Sequence, residues 1–163
     1  MWKVKLFLSD LKAYGWWFED GGQLYLNIAF TANSVDKLIS ILNNFNTGQK
    51  LTISLKKIDK SMPHHLDNEN EIYPEKFELL KYIEILVSEN AVKPVLILEN
   101  ENISMEIGKQ LIPYFLTSLE ESKEQGYLLE NYLDVEILSD INGNSFGDKL
   151  YIWSCDNDKI IFY

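Results

Sequence analysis

The residues best suited to metal or acid–base chemistry gather in one polar stretch, Asp59 to Tyr73. His64 and His65 stand beside Asp67, Glu69 and Glu71, a mix of imidazole and carboxylate that suits borderline and hard divalent ions. Neighbouring side chains on an extended chain point to opposite sides, so one ion rarely takes both imidazoles. The stretch therefore reads as a solvated loop. These are the only two His in the chain, which removes chemistry that needs separated imidazoles. Asp140, Asn142 and Asn144 have the spacing of a calcium loop, but Ser145 and Tyr151 stand where that geometry needs Gly and Glu. That segment reads as an Asn/Gly turn. Ser139 and Ser145 lack a Gly-x-Ser-x-Gly setting, and Gly21-Gly22 lacks the Lys-Ser/Thr that completes a phosphate loop. The single Cys, Cys155, excludes an internal disulfide and a Cys-based zinc site, and reads as a small apolar filler. With 25 acidic residues, a carboxylate pair by itself singles out no hydrolase site. No catalytic, metal-binding or cofactor-binding residue is assigned, no cofactor is expected, and the chain is read as not an enzyme.

Two features suit recognition instead. Trp16-Trp17-Phe18 places three large aromatics in a row, and successive side chains of an extended segment diverge. Trp16 or Trp17 is therefore expected to stand out as a binding anchor. The second feature is charge. The net charge is −10, and all 15 basic residues are Lys. Without Arg, bidentate recognition of phosphate or guanine is missing, which argues against nucleic acid as a partner; the same charge opposes an anionic membrane. Residues 1–60 hold eight Lys and five acids (+3), and residues 61–163 hold seven Lys and twenty acids (−13), which sum to −10. The acidic surplus belongs to the second part of the chain. Such a surplus keeps a small protein dispersed, and it also steers a basic protein partner. The candidate partner-binding acids are Asp67, Glu69, Glu71, Glu99, Glu101, Glu120, Glu121 and Glu124.

The elements that would position these groups follow from periodicity. Residues 2–8 and 23–30 read as strands that would pair as an antiparallel hairpin, joined by a long connection through Gly15, Gly21 and Gly22. Ser34 is expected to cap a helix carrying Val35, Leu38, Ile39, Leu42 and Phe45, with Gly48 as its stop. Residues 51–58 alternate as a strand. Pro74 suits a helix start, with Phe77, Leu80, Ile83 and Val87 on one face, although a strand over residues 82–87 is an alternative. Residues 95–98 read as a buried strand. A further helix from Ser104 would carry Ile107, Leu111, Phe115 and Leu119, kinking or beginning at Pro113. Residues 135–138, 149–153 and 159–163 complete the strands, the last two as a hairpin about Asp156-Asn157-Asp158. The expectation is one α+β domain over residues 1–163, with a mostly antiparallel sheet and about three helices.

As a whole-chain profile, a small, acidic, Arg-free, Lys/Asn/Ile-rich chain without a catalytic constellation resembles the immunity proteins of bacterial contact-dependent inhibition and other polymorphic toxin systems. The resemblance implies a cytoplasmic inhibitor that binds and neutralises a cognate toxin, commonly by covering its active site. A basic nuclease toxin would match the acidic surplus. It carries no motif and transfers no residue. The N-terminal residues lack a signal-peptide pattern and no apolar run approaches a membrane span, which fits a cytoplasmic location. Two other readings stand beside it: a small carboxylate-using hydrolase, and a phage or bacterial adaptor or structural domain.

Overall fold

Alternation of apolar and polar residues governs most of the chain, because each strand buries one face and shows the other. The computed structural model describes residues 5–8, 11–56, 78–89, 93–125, 132–139 and 146–155. The strands are β1 (Lys5–Leu8), β2 (Ala13–Asp20), β3 (Gln23–Thr31), β4 (Lys50–Ser54), β5 (Glu78–Leu79), β6 (Tyr82–Ser88), β7 (Val95–Glu99), β8 (Asn102–Gly108), β9 (Tyr132–Ser139) and β10 (Phe146–Cys155). The helices are α1 (Ala32–Leu42) and α2 (Ile112–Gln125), the second preceded by a 3-10 turn at Lys109–Leu111. No helix among the described residues is long and apolar enough to cross a membrane.

The ten strands form one sheet in the order β1-β4-β6-β8-β7-β9-β10-β3-β2-β5. Parallel and antiparallel neighbours alternate from β1 as far as β3 and β2. The sheet is mixed and strongly curled, with two α-helices among the described residues, and this corrects the expected mostly antiparallel sheet with about three helices. The reason lies in the connections. Tight hairpins make the antiparallel pairs β2–β3 and β7–β8, and the outer edges of these hairpins pair in parallel with other strands, β3 with β10, β8 with β6 and β7 with β9. The first turn is Gly21-Gly22, whose φ values of +60° and +82° are those of a type I′ turn. The second turn is Asn100-Glu101, with Asn100 at φ +53°.

The curl nearly closes on itself. β5, the last strand in the order, is separated from β6 only by Leu80 and Lys81. One bent stretch of chain thus pairs with β2 at one end and with β4 and β8 at the other. The seam is completed by Leu80 N–H donating to Gly15 O (2.9 Å) and Lys56 N–H donating to Ala13 O (2.8 Å). Gly15 lies against Leu55 and Leu80 at this seam.

Inside the curl, Leu26, Ile28, Phe30, Ile53, Ile83, Ile85, Leu96, Leu98, Ile137 and Leu150 are buried in one continuous cluster. The two helices fill the concave side. Val35, Leu38 and Leu42 of α1 and Phe115 and Leu119 of α2 belong to the same cluster. Phe115 is 1% exposed and borders a void of only about 10 Å³ among Ile28, Phe30, Ile53 and Met105. That is room for about one water.

Several local expectations change. Of the two readings of residues 74–87, the strand alternative over 82–87 holds and the helix does not where the segment is described, because Ile83, Ile85 and Val87 alternate inward. The expected helix from Ser104 divides: Ile103, Met105 and Ile107 face inward from β8, and the helix starts at Ile112 with Pro113 in its first turn, where a missing N–H costs nothing. The expected long connection before β3 contains β2. Residues 5–8 and 23–30 do not pair with each other: β1 lies parallel to β4. Thr31, not Ser34, is the N-cap residue of α1. Ser34 Oγ instead accepts from Lys12 N–H (2.8 Å) and from Thr31 Oγ1 (3.0 Å), tying the helix start to the strand preceding it. The expected terminal hairpin extends into residues 156–163, outside the described residues.

Candidate functional site

Since the concave side is filled, the side chains available for function lie on the convex face of the sheet. Register places them in rows that run across β6, β8, β7 and β9. One row is Leu86, Glu106, Val95 and Glu136; the next is Glu84, Ser104, Ile97 and Leu138; a third begins Tyr82, Asn102 and Glu99. Apolar and acidic side chains interleave on this face. Ile97 is 42% and Leu138 46% exposed, and they are direct partners across β7 and β9, at a strand spacing of about 4.8 Å. Leu86 and Val95 are half-buried. Together with Lys50, Glu84, Ile97 and Glu106 they line a groove of about 380 Å³.

The acids differ in state. Glu84 accepts from Lys50 Nζ at 3.0 Å and more weakly from Ser104 Oγ at 3.4 Å, so its charge is largely met. Glu99, Glu106, Asp134 and Glu136 are exposed and form no ion pair with the described residues. Glu101 lies in the β7–β8 turn, 2.8 Å from Lys81 Nζ. The hydrogen bond to Glu101, reinforced by its charge, raises the Lys81 ammonium above its usual value. On the far side of this face, Asp148 accepts from Gln23 Nε2 at 3.2 Å.

The sequence candidates divide accordingly. Glu99 stands on the convex face, with Glu101 at its edge. Glu120 and Glu121 are exposed on α2, which packs on the concave side, so they do not join the same patch. Glu124 lies in α2 as well. Asp67, Glu69 and Glu71, with His64 and His65, lie outside the described residues, as does most of the calcium-like loop. Among the described residues no three metal-ligating side chains come together. Trp16 and Trp17 are 4% and 7% exposed, so neither offers the expected open anchor. Consecutive aromatics do point to opposite faces of β2, as extended geometry requires, but both faces are covered at this strand.

The groups that sequence reasoning passed over are Ile97, Leu138, Glu106, Asp134 and Glu136. The available signal was strand parity: once Leu96 and Ile137 face inward, Ile97, Glu136 and Leu138 must face outward. Compared with known proteins, the chain matches no family model and no curated sequence.

Proposed function

We propose that this protein is a non-catalytic binding protein that captures a basic protein partner on the convex face of β6, β8, β7 and β9. Its role would be that of a cytoplasmic immunity protein, occluding a toxin whose working cleft carries Lys and Arg. The observation that carries this reading is the apolar pair Ile97 and Leu138, exposed side by side and bordered by Glu99, Glu106 and Glu136. A single exposed aliphatic residue is ordinary, whereas neighbouring ones inside a charged border have the anatomy of an interface core and rim. The aliphatic centre would set the lifetime of the complex. The carboxylates would speed encounter and select the sign of the partner.

The test uses the full chain and the basic protein it captures from its source cells. Ile97→Asp with Leu138→Asp should raise the dissociation rate by about tenfold or more. Glu106→Lys with Glu136→Lys should slow association instead, and wild-type association should slow sharply between about 50 mM and about 500 mM salt. Association that ignores both salt and the charge reversal would overturn the reading.

A further inference from the structure

Four rings cross the convex side of β2, β3, β10 and β9. Phe18 and Tyr25 stack with centroids 4.9 Å apart and planes 13° apart. Tyr25 and Tyr151 follow at 6.2 Å and 23°. At Tyr132 the ladder breaks to an edge contact, 6.3 Å and 60° from Tyr151. Over the Tyr132 ring lies not another ring but Lys149 Nζ, 5.0 Å from the centroid. Tyr132 is 41% exposed. Lys149 is the cross-strand partner of Asp134, and Glu136 follows on the same face of β9. The Tyr132 ring thus holds one internal cation, while Asp134 stands opposite it in register on the same face without an ion pair to it.

Resting on the docking face proposed above, we infer that Tyr132 and Asp134 form a subsite for an arginine side chain of the basic partner, with Lys149 as its internal placeholder. A planar guanidinium stacks on the ring and presents a fork of donors to the carboxylate, which a rounded ammonium cannot do at once. The cost of displacing Lys149 is small, because its head group is held on a partly exposed ring and returns to water when released.

The probes are labelled nona-arginine and nona-lysine, equal in charge, with affinities read by fluorescence anisotropy on the full chain. Wild type should prefer nona-arginine by about threefold or more. Tyr132→Leu should bring that ratio to about one while nona-lysine affinity holds, and Tyr132→Phe should preserve the ratio. Lys149→Met should strengthen nona-arginine more than nona-lysine. An arginine preference that survives Tyr132→Leu, or no preference in wild type, overturns the subsite. If Glu106→Lys with Glu136→Lys still weakens both peptides in that case, the docking face stands without the subsite. If neither peptide binds and charge reversal changes nothing, both fail.

Discussion

Gly147→Ala should destabilise the fold far more than Gly15→Ala, although both glycines sit in tight contacts on β-strands. A Cβ added at Gly147 would lie 2.6 Å from the Leu24 carbonyl oxygen and 2.9 Å from Ile137 Cδ1. Both are well inside the roughly 3.5 Å at which heavy atoms pack without repulsion. The methyl of Ile137 can turn away, but the Leu24 carbonyl belongs to the backbone of β3. Relief therefore requires β10 to move off β3, at the place where their register already shifts between Phe146 and Leu150. Overpacking against a fixed neighbour costs about 2–3 kcal/mol, and the roughly 0.4–1 kcal/mol gained by restricting the unfolded chain does not offset it. At Gly15 the Cβ would meet Leu55 Cδ1 at 2.9 Å and Leu80 Cδ1 at 3.0 Å, both ends of flexible side chains, and Leu80 Cβ at 3.3 Å, a contact that a shift of a few tenths of an ångström relieves. There the two effects nearly cancel, and the net change should stay within about 1 kcal/mol. Urea unfolding followed by Trp fluorescence reads the difference: with an unchanged slope near 2 kcal/mol/M, Gly147→Ala should lower the midpoint by about 1 M. Equal midpoints for the two variants, or a Gly147→Ala midpoint at or above wild type, would refute the close approach of β10 to β3.

Phe115→Ala should cost about 3–5 kcal/mol, because it enlarges the void at the centre of the core; urea midpoints would check it. Ser34→Ala removes the hydroxyl that accepts from the Lys12 N–H and the Thr31 hydroxyl, and should cost about 1–2 kcal/mol by the same measurement. Tyr151 is held above the usual phenol pKa, first by burial and then by Tyr25 and Asp148. Its unfolded form ionises first as pH rises past about 10, so its contribution to stability is complete below that pH and is lost above it. Tyr151→Phe should remove that part of the alkaline loss of stability, and an unchanged slope of stability against pH would count against the placement of this ring.

Sequence pattern reported strands where one face is buried and the other polar. Residues 23–30, 51–54 and 95–98 read correctly because their inward Leu and Ile alternate with outward polar groups or fall in a short apolar run. It misread segments that are apolar on both sides. Residues 82–88 carry Ile83, Ile85 and Val87 inward, but Tyr82 and Leu86 lie outward, and the broadened stripe imitates a helix. The spacing 107, 111, 115 and 119 joined the end of β8, the 3-10 turn and α2 into one imagined helix, since three inward-facing elements in series can match a period of four. β2 was hidden because Trp16 and Trp17 are buried on opposite faces, a pattern that alternation cannot report. At the candidate site, charge asymmetry pointed to acids in the second part of the chain. It could not choose among them, because whether Glu99 and Glu136 share a face depends on the parallel register of β7 and β9, a contact between residues about forty positions apart.

That register also bears on why apolar residues stand outward at all. Core packing cannot require them: the concave side is filled by Phe115, Leu119 and the inward Leu and Ile, leaving a void of about 10 Å³. Strand propensity accounts for Val95 and Ile97, whose branched Cβ suits a pleated surface, but not for Leu86 or Leu138. Solubility opposes all four, since exposed aliphatic neighbours on a sheet invite association. The feature that sets them apart is their alternation with acids in two adjacent rows, Leu86–Glu106–Val95–Glu136 and Glu84–Ser104–Ile97–Leu138. Interleaved carboxylates repel a second copy of the same face and repel other acidic proteins. They leave the aliphatic surface open to a partner that brings positive charge, which is selectivity by repulsion as much as by attraction.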